Sequence, residues 1–403
     1  MKVLSLAIEG FRSLRSQIWE PSDLNVLIGP NASGKTNLLR TLDVLSTAAR
    51  GGLGTYVQRE GGMESIVWDG AAESVRLRVK TTPIPPYTDP VQHALTYEFN
   101  LQRLGGSSAY RFEHELLGNF YRVESGEMAQ PFKLLERDPH HAVVYSISEQ
   151  RFEASEAVPE DESLLSLSAG PFSANRYVGE FQKELGGWRI HQTFATHREA
   201  PIRLPQVTRA DTQVDADGQN LISVLHSLYT TSRDFKSDIN AAMQAAFGSE
   251  FEEIIFPPAA DQRIQMRIRW RSLQRERSAA DLSDGTLRFL FLLAVLANPS
   301  PPRLIAIDEP ELGLHPSMLP IVAEFAQDAA ARTQVVLATH SPEFLDAFSN
   351  GEPTTTVVEC HNGETRLRVL DGDELRYWLR HYTLGELFRS RELEAISAPE
   401  SEG

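Results

Sequence analysis

The residues Gly29, Pro30, Asn31, Ala32, Ser33, Gly34, Lys35 and Thr36 constrain this chain more than any other stretch, because they fit the spacing G-x-x-x-x-G-K-[ST] at every fixed position. The apolar run Leu24 to Ile28 precedes them as a strand, and Asn37 follows at the start of a helix. The glycines let backbone N–H groups converge on phosphate oxygens, and the helix N-terminus adds positive potential. Lys35 is long enough to reach β and γ phosphates, and Thr36 offers a hydroxyl to Mg²⁺. Strand, loop and helix in this order predict an α/β unit that grips a nucleoside triphosphate. The guanine-reading pattern N-K-x-D does not occur, so ATP is the expected nucleotide.

Three further segments carry chemistry. Residues Arg303 to Glu311 place four apolar residues ahead of Asp308 and Glu309, at the carboxyl end of a strand, where α/β sheets hold their ligands. Asp308 there would hold Mg²⁺ directly or through water, and Glu309 would act as general base or orienter for an attacking water. The run Leu282, Ser283, Asp284, Gly285, Thr286 opens an apolar helix 25 residues before Asp308 counted from Ser283, and its N–H groups can form an anion site. An ordinary helix cap at Ser283 or Asp284 is the alternative for these residues. His340 ends the strand that starts at Gln334, 32 residues beyond Asp308.

With these motifs in this order, plus Gly10 to Ser13 and Glu309 to Pro316, the chain resembles the RecF/SMC/OLD-like branch of the ABC ATPases. The likeness runs essentially end to end, includes the closing segment Trp378 to Leu387, and is nearest to bacterial AAA-like, OLD-related ATPases without a Toprim domain. It implies a P-loop NTPase fold: an ABC ATPase head with a β-rich lobe and an inserted, mostly helical lobe. Leu282 to Thr286 then looks like the ABC signature, so Ser283 and Gly285 would touch the γ-phosphate bound by the opposite subunit of a homodimer that sandwiches two ATP molecules. His340 matches the switch histidine that senses hydrolysis, which with Lys35 and Glu309 completes the expected catalytic set. Arg12 matches an arginine that points at nucleotide phosphates, and Glu311 and His315 match a loop facing the partner subunit. The output implied is DNA-related or phage-defence activity. The alternatives are a regulatory or scaffold subunit gating a separate nuclease effector, and a RecF-like binder in DNA repair. Two departures stand out. The family's Q-loop glutamine is expected near Glu162 to Leu167, which contains none. Asp371 and Asp373 mimic a Toprim pair, but roughly 60 residues after the last motor strand are too few for that domain, so they read as a turn.

Along the chain, the head is expected to be discontinuous: 1–73 a P-loop half, 74–160 a β-rich lobe, 161–278 a mostly helical lobe with an arginine-rich strand, 279–370 the signature, acidic-strand and histidine half, and 371–403 C-terminal helices and tail. No heptad repeat predicts a coiled-coil arm. Net charge is −16, from 39 basic and 55 acidic side chains, so the whole molecule repels a polyanion and any nucleic-acid contact must be local. Arg263 to Arg271 alternates arginines with Ile264, Met266, Ile268 and Trp270, which predicts a strand with one apolar and one arginine face. Arg267, Arg269 and Arg271 there are a possible DNA contact, or a solvated face paired with nearby acids. The longest apolar run, Phe289 to Ala297, has half the ~20 residues that span a bilayer, so no membrane partner surface is expected. Cys360 is the sole cysteine, which excludes an intrachain disulfide or cysteine-based metal cluster and fits a reducing, cytoplasmic setting. The N-terminal residues read as a first strand rather than a secretory signal.

Overall fold

The computed structural model describes residues 1–89, 93–105, 108–119, 132–154, 158–170, 173, 175–348, 353–370 and 382–390. Asp371, Asp373 and most of 371–403 lie outside the described residues. The chain forms two compact units. One gathers Met1–Ser22, Gly29–Trp188 and Thr356–Val369; the other gathers Asp23–Ile28, Arg189–Thr355 and the described residues from Leu370 onward.

The first unit is built on an eight-stranded sheet in the order Leu14–Trp19, Val3–Phe11, Ser74–Thr81, Leu95–Arg103, Tyr110–Asn119, Phe132–Asp138, His141–Ser146, Arg151–Ala154. Every pairing in it is antiparallel. Alternation explains the strands: in Ser74–Thr81, Val75, Leu77 and Val79 are buried while Arg76, Arg78 and Lys80 face solvent. The helix Lys35–Arg50 buries Leu38, Leu42, Leu45 and Ala49 at helical spacing. The helix Arg176–Gly186 packs against it, and Gln182 Nε2 donates to Ala49 O at 2.7 Å, satisfying a carbonyl of its last turn.

The segment where the glutamine was expected serves a structural purpose. Ser163 caps the short helix Leu164–Leu167, and the buried carboxylate of Glu115 accepts from Leu164 N at 2.7 Å and Leu165 N at 2.9 Å. Burial raises the Glu115 pKa against the pull of these amides, and Tyr97 donates to the same carboxylate at 2.9 Å.

The second unit contains four strands in parallel succession: Arg189–His191, Leu304–Asp308, Gln334–Thr339 and Leu24–Ile28. Gln334–Thr339 is buried at every residue, as a strand covered on both faces requires. The helix Asp284–Leu296 buries ten of its thirteen residues, and Leu319–Ala330 packs beside it. The arginine-rich segment is not one strand, as its alternation predicts. Arg263–Ile264 pairs with Gln206–Val207 and Pro258–Ala259, whereas Arg267–Trp270 pairs with Phe251–Ile255 and Arg277–Ser278 in a separate sheet. The apolar positions Ile264, Met266 and Ile268 are buried as the alternation implies, but the chain changes partner between them. No helix among the described residues is long and apolar enough to cross a membrane.

His191 ends its strand opposite Ile307, with Nδ1 3.2 Å from Ala216 O and its ring edge-on to Phe291 at 5.0 Å. Burial disfavours the imidazolium and lowers its pKa from 6.5 to about 4. The unfolded chain therefore binds the extra proton first as pH falls. His191 adds stability that is complete above pH 6.5 and is lost towards pH 4, on the order of 2 kcal/mol between pH 6.5 and 4.5. Urea unfolding of His191→Gln, compared with the parent chain, should show a correspondingly shallower loss of stability over that interval; parallel curves would refute it.

Candidate nucleotide site

The glycine-rich loop follows directly on Ile28 in the chain. Pro30, Asn31 and Ala32 are exposed, whereas Ser33 and Lys35 are buried. Gly34 sits at the start of the helix Lys35–Arg50 with φ 109° and no side-chain cap. A β-carbon there would lie 2.0 Å from Thr365 Oγ1, so both the left-handed backbone and the close approach demand glycine. Thr365 belongs to a hairpin of Thr354–His361 and Glu364–Val369. Its hydroxyl donates to Ser33 O at 2.8 Å and meets Ser13 Oγ at 2.6 Å, and Asn37 Nδ2 donates to Ser13 Oγ at 2.7 Å. The loop is thus braced from the turn before Leu14 and from the hairpin. Lys35 Nζ donates to Gly29 O at 2.7 Å and Pro30 O at 3.0 Å. Thr36 is half-buried one position into the helix. Arg12, at φ 49° in the first turn, pairs with the Glu60 carboxylate. Burial, with Arg40 nearby, lowers its pKa. One terminal nitrogen of its guanidinium is taken by Glu60.

In the second unit, parallel strands bring their carboxyl ends to one edge. Asp308 and Glu309 leave Leu304–Asp308, and His340 leaves Gln334–Thr339 with Asp308 opposite Ala338. Glu309 N donates to Ala338 O at 2.8 Å, one residue past the strand, and Glu309 takes φ 50°. This turn directs its carboxylate to His340 Nδ1, with which it is in close contact. Glu311 accepts from the Thr339 hydroxyl at 2.6 Å, and its Oε1 lies 3.8 Å from His340 Nδ1. Ligand atoms of Glu309, Glu311 and His340 fall within 4.8 Å of one another, a cluster that closes on itself through the Glu309–His340 pair. The side chain of Glu311 is 9% exposed, so it supports this edge rather than facing outward. His315 is exposed and caps the turn Pro316–Met318.

The third strand at the edge, Arg189–His191, is followed by Gln192. Gln192 lines a cavity of about 310 Å³ with Asp308, Glu309, Arg288 and Phe194. Gln192 is thus a glutamine beside the acidic strand end, whereas the segment Glu162 to Leu167 contains none.

Ser283 is exposed and its Oγ accepts from Thr286 N at 3.1 Å, so it does cap the helix Asp284–Leu296. Capping leaves its outer face open. At Gly285 a β-carbon would lie 2.5 Å from Gly313 O, in the loop that follows Glu309, so glycine is needed here for backbone packing inside the unit as well. The arginines of Arg267–Trp270 each have an acidic partner within the unit. Arg269 pairs with Glu253 and Glu276, and Arg267 with Glu276 at 3.4 Å.

A protein family described as "AAA domain, putative AbiEii toxin, Type IV TA system" matches residues 24–77 and 150–346, more than half of the chain. Among solved structures, the chain is similar to an SMC head bound to the C-winged helix domain of ScpA. That match has 14% identity and a TM-score of 0.56, covering 94% of this chain and 100% of that one. It is also similar to an Smc head domain with an extended coiled coil bound to the C-terminal domain of ScpA from Pyrococcus furiosus, with 12% identity and a TM-score of 0.53, covering 94% and 98%. At such identities the likeness establishes the fold, and neither match singles out the OLD-related branch. A search of curated proteins finds no match. The chain belongs to the AAA-domain family so described, an ATPase family, and folds as an SMC-type ATPase head.

Proposed function

We propose that the chain binds ATP with Mg²⁺ on the loop Gly29 to Thr36 and hydrolyses it as a homodimer, with Ser283 and Gly285 of one copy meeting the γ-phosphate held by the other. One observation carries the hydrolytic reading: three parallel strands deliver Gln192, Asp308 with Glu309, and His340 to the same edge. Glu309 accepts the proton of a water whose oxygen bonds to the γ-phosphorus, while the bond from phosphorus to the β–γ bridging oxygen breaks. Lys35 exchanges the carbonyls of Gly29 and Pro30 for phosphate oxygens, a stronger charge-assisted pairing. His340 holds the Glu309 carboxylate until a γ-phosphate offers the imidazole another partner. The Thr36 hydroxyl and the Asp308 carboxylate are hard oxygen donors suited to Mg²⁺, which supplies charge neutralisation on the β and γ phosphates.

The dimer reading is supported by the exposure of Ser283 at the N-terminus of the helix Asp284–Leu296, where the helix dipole favours an anion. For the output, we place the ATP cycle in control of a separate effector in a defence system, and the description of the family as a toxin component supports that choice. Of the arginines Arg267, Arg269 and Arg271, the first two have their charges already matched by Glu253 and Glu276, which disfavours DNA binding there, while Arg271 is exposed.

Two experiments test this. Glu309→Gln should lower kcat by about a hundredfold or more with ATP affinity kept, and should accumulate an ATP-dependent dimer on size exclusion; parental turnover would remove Glu309 as the base. Lys35→Ala and Ser283→Arg should each be inactive alone. Mixed in equal amounts, they should recover roughly a quarter of parental activity, since half the dimers then hold one intact composite site of two. No recovery on mixing would mean that the two motifs do not serve the nucleotide from different copies.

A further inference from the structure

The first turn of the helix Asp284–Leu296 is gripped by a side chain from far earlier in the chain. Arg203 closes the short turn Pro201–Arg203, and its side chain is 7% exposed. Its Nε donates to Thr196 O at 2.7 Å. One terminal nitrogen donates to Leu282 O at 2.7 Å, Ala279 O at 3.0 Å and, more weakly, Ala280 O at 3.3 Å; the other reaches the Asp284 carboxylate. All three nitrogens of the planar fork therefore have an acceptor, an arrangement that a lysine, with a single nitrogen, cannot reproduce.

Its acceptors fall into two groups. Thr196 lies four residues after Gln192, on the segment leaving the candidate site's edge, whereas Ala279 to Asp284 form the loop that presents Ser283. Two more contacts run along the same join. Phe194 stacks on Phe291 of the helix with ring centroids 4.4 Å apart, and an Arg288 nitrogen donates to Phe194 O at 3.4 Å.

Stability is not what this arginine chiefly adds. The helix is already anchored by ten buried residues, and taking a guanidinium out of water is costly. Ser283 and Asp284 lie exposed outside the apolar helix face: Ser283 is held by its cap to Thr286 N, and Asp284 by Arg203. We propose that Arg203 is a positioning residue: it sets the orientation of the loop Ser283 to Gly285 and moves that loop together with the segment that begins at Gln192. The role rests on the reading above in which this loop serves the nucleotide of a second copy.

The test uses full-length Arg203→Lys, alone and combined with Glu309→Gln. Three quantities are measured: affinity for a fluorescent ATP analogue at protein concentrations too low for dimers, kcat, and the ATP-dependent dimerisation constant. The proposal expects nucleotide affinity within about twofold of the parent, kcat lowered about tenfold or more, and the dimer of the double variant weakened about tenfold or more. Unchanged kcat and dimerisation would overturn it. So would a parallel loss of nucleotide affinity, which marks a merely structural residue. If Glu309→Gln with Arg203 intact forms no ATP-dependent dimer, the two-copy reading itself fails and takes the role of Arg203 with it. A dimer that survives only the Arg203 change counts against Arg203 alone. Should circular dichroism show Arg203→Lys unfolded, Asp284→Ala takes its place, at a carboxylate 64% exposed. A dimer weakened about threefold or more at parental nucleotide affinity supports the proposal, and an unchanged dimer overturns it.

Discussion

The geometry of the candidate site's edge depends on the strands Arg189–His191, Leu304–Asp308 and Gln334–Thr339 lying parallel and in step. His191 is opposite Ile307, and Asp308 is opposite Ala338, so the chain leaves all three strands at one level. Their interiors are apolar and buried, which pushes every group able to do chemistry to the ends. The ladder then continues for one bond beyond the central strand, from Glu309 N to Ala338 O, and that bond forces the left-handed turn at Glu309. A side chain that would otherwise alternate into the sheet is redirected to His340. A slip of one residue would send Asp308 and Glu309 to the wrong faces, so the register of buried strands and the placement of the acids are a single constraint.

The two groups assigned the most chemistry each have a close partner within the chain. Lys35 is held by two carbonyls of its own loop, and Glu309 is held by His340. The buried Lys35 ammonium is therefore not left without a partner, which would cost several kcal/mol. On the reading proposed above, a bound triphosphate competes for Lys35, and it can do so because a phosphate oxygen makes a stronger bond to an ammonium than a carbonyl does. The bracing of the loop by Thr365, Ser13 and Asn37 keeps the backbone in place through that exchange, so the lysine moves and the loop does not have to.

The sequence shows the groups whose chemistry demands fixed spacing beside a strand end: Lys35 and Thr36 after their glycines, Asp308 and Glu309 after four apolar residues, and His340 after another apolar run. Gln192 escapes that logic because its strand has only three residues, two of them Arg189 and His191, and shows no apolar run. The one local hint is the Gly186–Gly187 helix end just before it. The window where the glutamine was sought instead holds a helix whose amides need Glu115, and a partner 49 residues away leaves no local trace. The arginine alternation gave the buried side correctly at Ile264 and Ile268. It could not reveal that Glu253 and Glu276 sit beside Arg269, because strand pairing and not spacing determines that. Thr365 and Arg203 act wholly through tertiary contact, and nothing adjacent to either marks it.

The loop after Glu309 gives the proposed dimer a reason to be cooperative. At one end Glu309 answers to His340; two residues on, Glu311 is tied to Thr339; and Gly313 lies against Gly285 with no room for a β-carbon between them. Close backbone packing transmits displacement instead of absorbing it. If the loop Ser283 to Gly285 serves the other copy's nucleotide, a change at Glu309 when one γ-phosphate leaves is felt four residues away by a loop holding the second nucleotide. Coupling of this kind has to be reciprocal in binding free energy, so occupancy of the second site must in turn bias the Glu309–His340 pair of the first. Gly285 then has two requirements that only glycine meets together: contact with a neighbour's phosphate on one side and with the loop behind it on the other.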